Sequence, residues 1–316
     1  MQKKGGPRFL SGFTAILYYE FLWNLRKKKT IGLFTLVFAI VTLFVFLPPA
    51  LAYYDGQTLQ SDPAFAYTTT SELNGIFLFL VAVATTMNTI SGEFEAGSIV
   101  PLLTKPVSKT TVFLGKLTAA FITLLGLFAF LGIYTTIGGV LTRGPQDSLQ
   151  VVPVGVLGLT MATTVWAAIV IFLGTLSKNS IVAALGSFGI YIGVTIVGGL
   201  VSVFLGQTSF LLYAPGAGAT ATSIGCTGPA RDSVESLGSG TDWLGRLLVE
   251  WIIHPNNCLN YIGFRFRGGN PNPETFLLSS DPISTAALRT LGICLAYIVG
   301  LLGISWFAFR RSQILE

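Results

Sequence analysis

Six runs of roughly twenty apolar residues divide the chain, at about Ile31–Tyr53, Leu73–Ile90, Val112–Leu141, Val151–Leu176, Ile181–Leu205 and Ala286–Phe309. A run of about 20 apolar residues crosses the ~30 Å hydrocarbon core of a bilayer as a helix. The runs are continuous rather than alternating, which argues against a membrane β-barrel. The pattern predicts an all-α membrane protein: six transmembrane helices, an N-terminal interfacial helix, and a large extracytoplasmic loop between spans five and six. In domain terms, residues 1–30 form the cytoplasmic N-terminal element and residues 31–316 the six-span domain.

Ahead of the first run, Phe13, Ile16, Leu17, Phe21 and Leu25 recur at helical spacing and Arg26–Lys29 close the stretch. That is the pattern of a helix lying in the membrane interface, with aromatics in the acyl boundary and cations at the headgroups; the alternative is an extension of span one. The turn Ser177–Ser180 is so short that spans four and five must form a tight hairpin. The loop 206–285 is too long for a plain connector. Its part Gly216–Gly240 reads as irregular. Asp242–Ile253 reads as a short amphipathic helix, capped by Thr241 or Asp242 and stopped before Pro255, with Trp243, Leu247 and Trp251 on one face.

Only 10% of the residues are charged and mean hydropathy is +0.70, where a soluble domain carries about 25% charged residues. Placing both termini in the cytoplasm puts 13 of the 19 Lys and Arg residues inside and 10 of the 14 acidic residues outside, as positive charge on cytoplasmic segments requires. The formal net charge of +5 is then a topology signal and a contact with anionic lipid, with no need for nucleic acid. Ala50-Leu51-Ala52 imitates a signal-peptidase site, but the thirty residues before the apolar run are too long for a leader's charged region, so cleavage is not expected.

Catalytic groupings are absent from the sequence. There is one histidine, His254, no G-x-S-x-G elbow and no G-x-x-x-x-G-K-[ST] phosphate loop, so the chain is not expected to hydrolyse ATP itself or to hold a cofactor or metal. The spans are nearly free of ionisable residues, which argues against ion-coupled carriers and channels. Thr85, Thr86, Thr135, Thr136, Thr160, Thr163 and Thr164 are expected mainly to bond their own helix carbonyls or to join helices. Gly189 and Gly193 of span five form a G-x-x-x-G, read as close packing within the chain rather than dimerisation. Cys226 and Cys258 share the outer loop, where a disulfide is permitted; sequence leaves bridged and free states both open.

The polar stretch Ile90–Lys116 is the least expected part of a chain that only needs to sit in lipid. Glu93 and Glu95 lie at the end of span two. Gly97 permits a sharp turn. Ile99–Leu103 can form a short apolar-faced helix, Pro106 stops helix continuation, and Ser108 or Thr110 can cap span three. Glu93 can pair with a basic residue of a partner or cap the segment's own amides. A basic loop touching lipid would explain the lysines but not the paired glutamates, the glycine or the proline.

Glu93, Gly97-Ser98, Leu102-Leu103, Pro106-Val107-Ser108-Lys109 and Leu114-Gly115-Lys116 resemble, in order and spacing, the pattern of permease subunits of type-2 ABC transporters: E-x-x-x-G-[TS], L, P-[VL]-[ST]-[RK], L-G-K. Ser98 stands where Thr is commoner and Lys109 where Arg is commoner. Ile253-His254-Pro255-Asn256 also looks like the NosY-type permeases of copper-site maturation. The resemblance implies an exporter's permease half in the plasma membrane. Its partners would be a second permease subunit and cytoplasmic ABC ATPase subunits that bind ATP and Mg. Glu93, Gly97, Ser98, Leu102, Pro106, Lys109 and Lys116, within the coupling segment 91–111 and the start of span three, would couple to that ATPase. A transmitter that moves an outer partner without transport, and a membrane-embedded enzyme, are the competing readings.

Overall fold

The computed structural model describes the chain except residues 1–7, 27, 58–60, 96, 98–107, 206–208, 227–234, 266–273 and 312–316. Ten α-helices are found among the described residues. These are α1 Arg8–Arg26, α2 Lys28–Tyr54, α3 Phe65–Ser71, α4 Ile76–Thr86, α5 Ser91–Glu95, α6 Lys109–Arg143, α7 Val152–Ser177, α8 Ser180–Leu205, α9 Leu244–Ile253 and α10 Ile283–Arg311. Six helical stretches are long and apolar enough to cross a membrane: Thr30–Tyr54, Ile76–Glu95, Lys109–Arg143, Leu149–Ser177, Ser180–Val201 and Ile283–Arg311.

Span four (α7) is the post around which the bundle is built. It is 78% buried over its most apolar window, against 17% for span five and 11% for span six. Its residues Val156, Leu159, Ala162, Trp166 and Ala167 join one core with α2, α4 and α6. The first span shows how a helix that is apolar all round divides its faces. Leu33, Val37, Val41 and Val45, four residues apart, are buried, whereas Leu36, Leu43, Phe44 and Leu47 are exposed. A four-residue step keeps side chains on one stripe of a helix. Gly138 of α6 makes room for that stripe, since a Cβ there would lie 2.4 Å from Val45.

The threonines behave as helix self-bonders. Thr85, Thr86, Thr135, Thr136, Thr160, Thr163 and Thr164 each donate to the carbonyl four residues earlier. Thr70 and Thr135 also meet at 2.6 Å and join α3 to α6. The G-x-x-x-G of α8 differs from expectation. A Cβ at Gly189 or Gly193 would meet nothing within 4 Å, so these glycines do not serve packing inside the chain.

The all-α expectation fails in the loop between spans five and six. Strands β1 Thr220–Gly225, β2 Glu235–Gly238, β3 Asn257–Arg265 and β4 Glu274–Pro282 form one antiparallel sheet in the order β2-β1-β3-β4. The stretch read as irregular therefore holds two strands. Thr-Ala-Thr-Ser-Ile of β1 has the alternation and β-branching of a strand, masked in sequence by the glycines around it. Cys226 and Cys258 are joined in a disulfide with Cα atoms 5.0 Å apart, tying β1 to the start of β3. We call this the sheet end of the molecule, and the opposite end, carrying Glu20, Lys109 and Arg310, the basic end.

Candidate functional site

At the basic end three elements meet on one lysine. Lys116, eight residues into α6, is 4% exposed. Its ammonium pairs with Glu20 of α1 and, at 2.5 Å, with Glu93 of α5. The neighbouring glycine explains how α1 comes so close. A Cβ at Gly115 would sit 2.7 Å from Ile16 Cγ2, so only glycine lets α1 lie against α6 at this height. Leu114-Gly115-Lys116 is thus a small residue for approach followed by a cation for fastening. Two carboxylates share one ammonium, and mutual attraction strengthened by partial burial is what offsets their lost hydration.

Glu93 pairs with Lys116 of the same chain, a contact that neither sequence expectation named. Glu95 holds a second joint. Its carboxylate accepts from the Ser180 amide at 2.9 Å and the Ser180 hydroxyl at 2.6 Å, so the end of span two caps the first turn of span five. Lys178, in the turn before it, has a left-handed backbone (φ +54°) and lies 5.6 Å over the Phe94 ring. Phe94 and Phe113 pack on Phe309, and Trp306 donates to Thr110 at 3.3 Å, which brings in the end of span six. One short helix, Ser91–Glu95, is thereby fastened to α1 and to spans three, four, five and six.

Gly97 follows with φ +65°, and a Cβ there would meet nothing among the described residues; the left-handed backbone of the turn is what calls for glycine. Ser108 caps α6 by accepting from the Thr111 amide at 3.1 Å. Lys109 is the first residue of α6. Ser98, Leu102 and Pro106 lie outside the described residues. The structure thus brings Glu93 and Lys116 together and adds Glu20 to them, with Glu95 on the same short helix; Gly97 lies in the turn after that helix and Lys109 about two turns before Lys116 on α6.

The sheet end is fastened as firmly, by contacts the sequence did not show. Asp242 is fully buried and accepts from Trp166 Nε1 of span four at 2.9 Å and from the Gly75 amide at 3.1 Å. Burial pushes its carboxyl up to about 7. The expected helix after it does form, but Asp242 points into the protein and caps nothing. Gly158 of α7 lies against Gly245 of α9 so tightly that a Cβ would be 2.4 Å from the Gly245 Cα. Buried Arg246 lies 3.7 Å from Glu250 and 3.9 Å from Glu72. In sequence Asp242 reads only as a cap candidate, because its partners Trp166 and Gly75 are 76 and 167 residues away.

The sequence profile of ABC-2 family transporter proteins matches residues 14–314. The chain belongs to this family and is a multi-pass membrane protein of it. No curated protein matches the chain.

Proposed function

We propose that the chain is the permease subunit of an ATP-driven exporter and that its basic end is the cytoplasmic face on which a separate ABC ATPase acts. The observation that supports this most is the Glu20–Lys116–Glu93 cluster. It ties α1, the end of span two and the start of span three at the base of the segment 91–111, so a push on that segment is delivered to all three. The Glu95–Ser180 joint passes it to spans four and five. ATP and Mg belong to the ATPase, and a second permease subunit completes the path. The exposed face of α2 at Leu36, Leu43, Phe44 and Leu47 leaves room for that subunit. Both termini and the basic residues Arg26, Lys109 and Arg310 lie in the cytoplasm, with α1 in the membrane interface. The NosY-type subgroup rests on Ile253-His254-Pro255-Asn256 alone.

A second reading has one observation in its favour. Span four is locked to the sheet end by the Gly158–Gly245 contact and the Trp166–Asp242 bond. Movement of span four would carry the sheet with it, as a transmitter acting on an outer partner requires. Reconstitution with the cognate ATPase separates the two. Loss of ATPase stimulation in Lys116→Met supports coupling through the cluster, and accumulation of a labelled compound in vesicles distinguishes export from transmission.

A further inference from the structure

Span six packs on span three near the basic end and on span four and α9 toward the sheet end, and a gap is left between these two contacts. At the basic end Phe113, Leu117, Leu302, Trp306 and Phe309 form one cluster. Toward the sheet end Cys294, Leu291, Tyr297 and Ile298 pack with Met161, Val165 and Leu244. Between the two clusters lies a groove of about 360 Å³, lined by Leu117, Thr118 and Phe121 of α6, Ala167 and Ala168 of α7, and the half-exposed Leu295 with Ile298 of α10. Thr86 and Thr164 also reach it, but each hydroxyl is spent on its own helix carbonyl, at 2.6 Å in both cases. Apart from Thr118 the wall is thus apolar in effect and offers a ligand no hydrogen bond from Thr86 or Thr164.

The depth of the groove follows from helix geometry. Leu117 and Phe121 lie eight and twelve residues from Lys109, the start of α6, or about 12–18 Å at ~1.5 Å per residue. Ala168 and Ala167 lie nine and ten residues from the end of α7, about 14–15 Å. Ile298 and Leu295 lie thirteen and sixteen residues from Arg311, about 20–24 Å. All three helices have these ends on the basic side. In a hydrocarbon core about 30 Å thick, the groove therefore opens at the level of lipid chains and not of headgroups. Below its mouth on the same helix, exposed Arg310 and Arg311 stand over Trp306 and Phe307, where a phosphate would meet positive charge.

We propose that this lateral groove is a binding site for one acyl chain of a membrane phospholipid, whose headgroup lies at Arg310 and Arg311. The site is separate from the cluster at Lys116 and does not depend on its role. Chain burial fills a wall that closed helix packing leaves open, and the two flanking clusters fix the groove's length. The cations give the lipid an orientation, with its head toward the basic end. A small cavity left empty forfeits dispersion contacts along its whole lining, which favours a chain that can thread in from the side.

The test uses the full chain in lipid nanodiscs containing phosphatidylcholine with a diazirine midway along one acyl chain. After irradiation, labelled positions are mapped by peptide mass spectrometry. Label should concentrate on Thr118, Phe121, Leu295 and Ile298 relative to the exposed face of α8 at Ile181 and Leu185. Leu295→Trp, at a residue already 46% exposed and so tolerant of bulk, should cut the groove label about tenfold, the loss expected for about two unburied methylenes, and leave the α8 label unchanged. Thr118→Phe, from the opposite wall, should do the same. Equal labelling of groove and α8, or groove label untouched by either variant, would show ordinary annular lipid only and overturn the proposal. Label lost in both variants together with a cross-link between two copies would assign the groove to a second chain and overturn it equally.

Discussion

Replacing Lys116 by methionine keeps the length of the side chain and removes its charge. Two carboxylates then face each other across a site from which water is largely excluded: the side chains of Glu20 and Glu93 are 13% and 23% exposed. Removing one partner of a buried pair costs about 3–5 kcal/mol; because Glu93 keeps some access to water, we expect about 3 kcal/mol here. That loss is felt where the cluster is the fastening, between α1 and the start of α6. Amide hydrogen exchange over Arg8–Arg26 reads it directly, and about 3 kcal/mol corresponds to roughly hundredfold faster opening. Exchange in the middle of α7 should not change. Adding Glu20→Gln and Glu93→Gln to Lys116→Met removes the stranded charges and should restore much of the protection, since the cost lies in unpaired groups. If Lys116→Met leaves exchange over α1 as in the parent, the cluster does not hold α1 and the reasoning fails.

Gly115→Val should release α1 at a cost of about 1–3 kcal/mol, because its side chain would meet Ile16; Gly126→Val, with nothing within 4 Å of a Cβ, should leave exchange over α1 unchanged. Asp242 has a folded carboxyl raised from 3.8 to about 7 by burial, so its contribution to stability is fully present below pH 3.8 and is lost as pH rises to about 7. Asp242→Asn should flatten the fall in apparent melting temperature between pH 4 and 7 and be the more stable form at pH 8; a variant with the parent's slope would refute this. Reduction of the Cys226–Cys258 disulfide, which bridges residues 32 apart, should destabilise the sheet by up to about 4 kcal/mol, seen as faster exchange in β1 and β3 with the spans unaffected. In a Cys294→Ser background, an impermeant thiol reagent should label Ser108→Cys only from the cytoplasm and Ser279→Cys only from outside; the reverse pattern would invert the topology.

Most of the membrane part was legible because it is written locally. Twenty apolar residues and a basic flank need no tertiary knowledge, and five of the six spans both begin and end within a few residues of expectation. Span two is the exception. It divides at Met87–Ile90 into α4 and α5, since the polar Met87-Asn88-Thr89-Ile90 step interrupts the helix. The family pattern was legible too, as were Gly97's turn and Ser108's cap, both backbone requirements carried by single residues. What sequence could not reveal was pairing at a distance. Nothing in the sequence near Lys116 pointed to Glu20, 96 residues earlier, as its partner. Asp242 looked like a helix cap until Trp166 and Gly75 claimed it. The sheet was hidden because β1 and β2 are short and glycine-flanked and its pairing joins segments as far apart as Ala221 and Tyr261.

The central claim is that the segment beside Glu93 and Lys116 is where a cytoplasmic ATPase acts. The most direct measurement is site-specific photo-cross-linking from Ser108→Cys, an exposed position at the start of span three, in cells of the native host. Adducts are identified by mass spectrometry and searched for a phosphate-loop peptide of the form G-x-x-x-x-G-K-[ST]. An ABC ATPase captured from Ser108 and not from Ser279 is the predicted result. Capture from neither position, or equally from both, would contradict the claim.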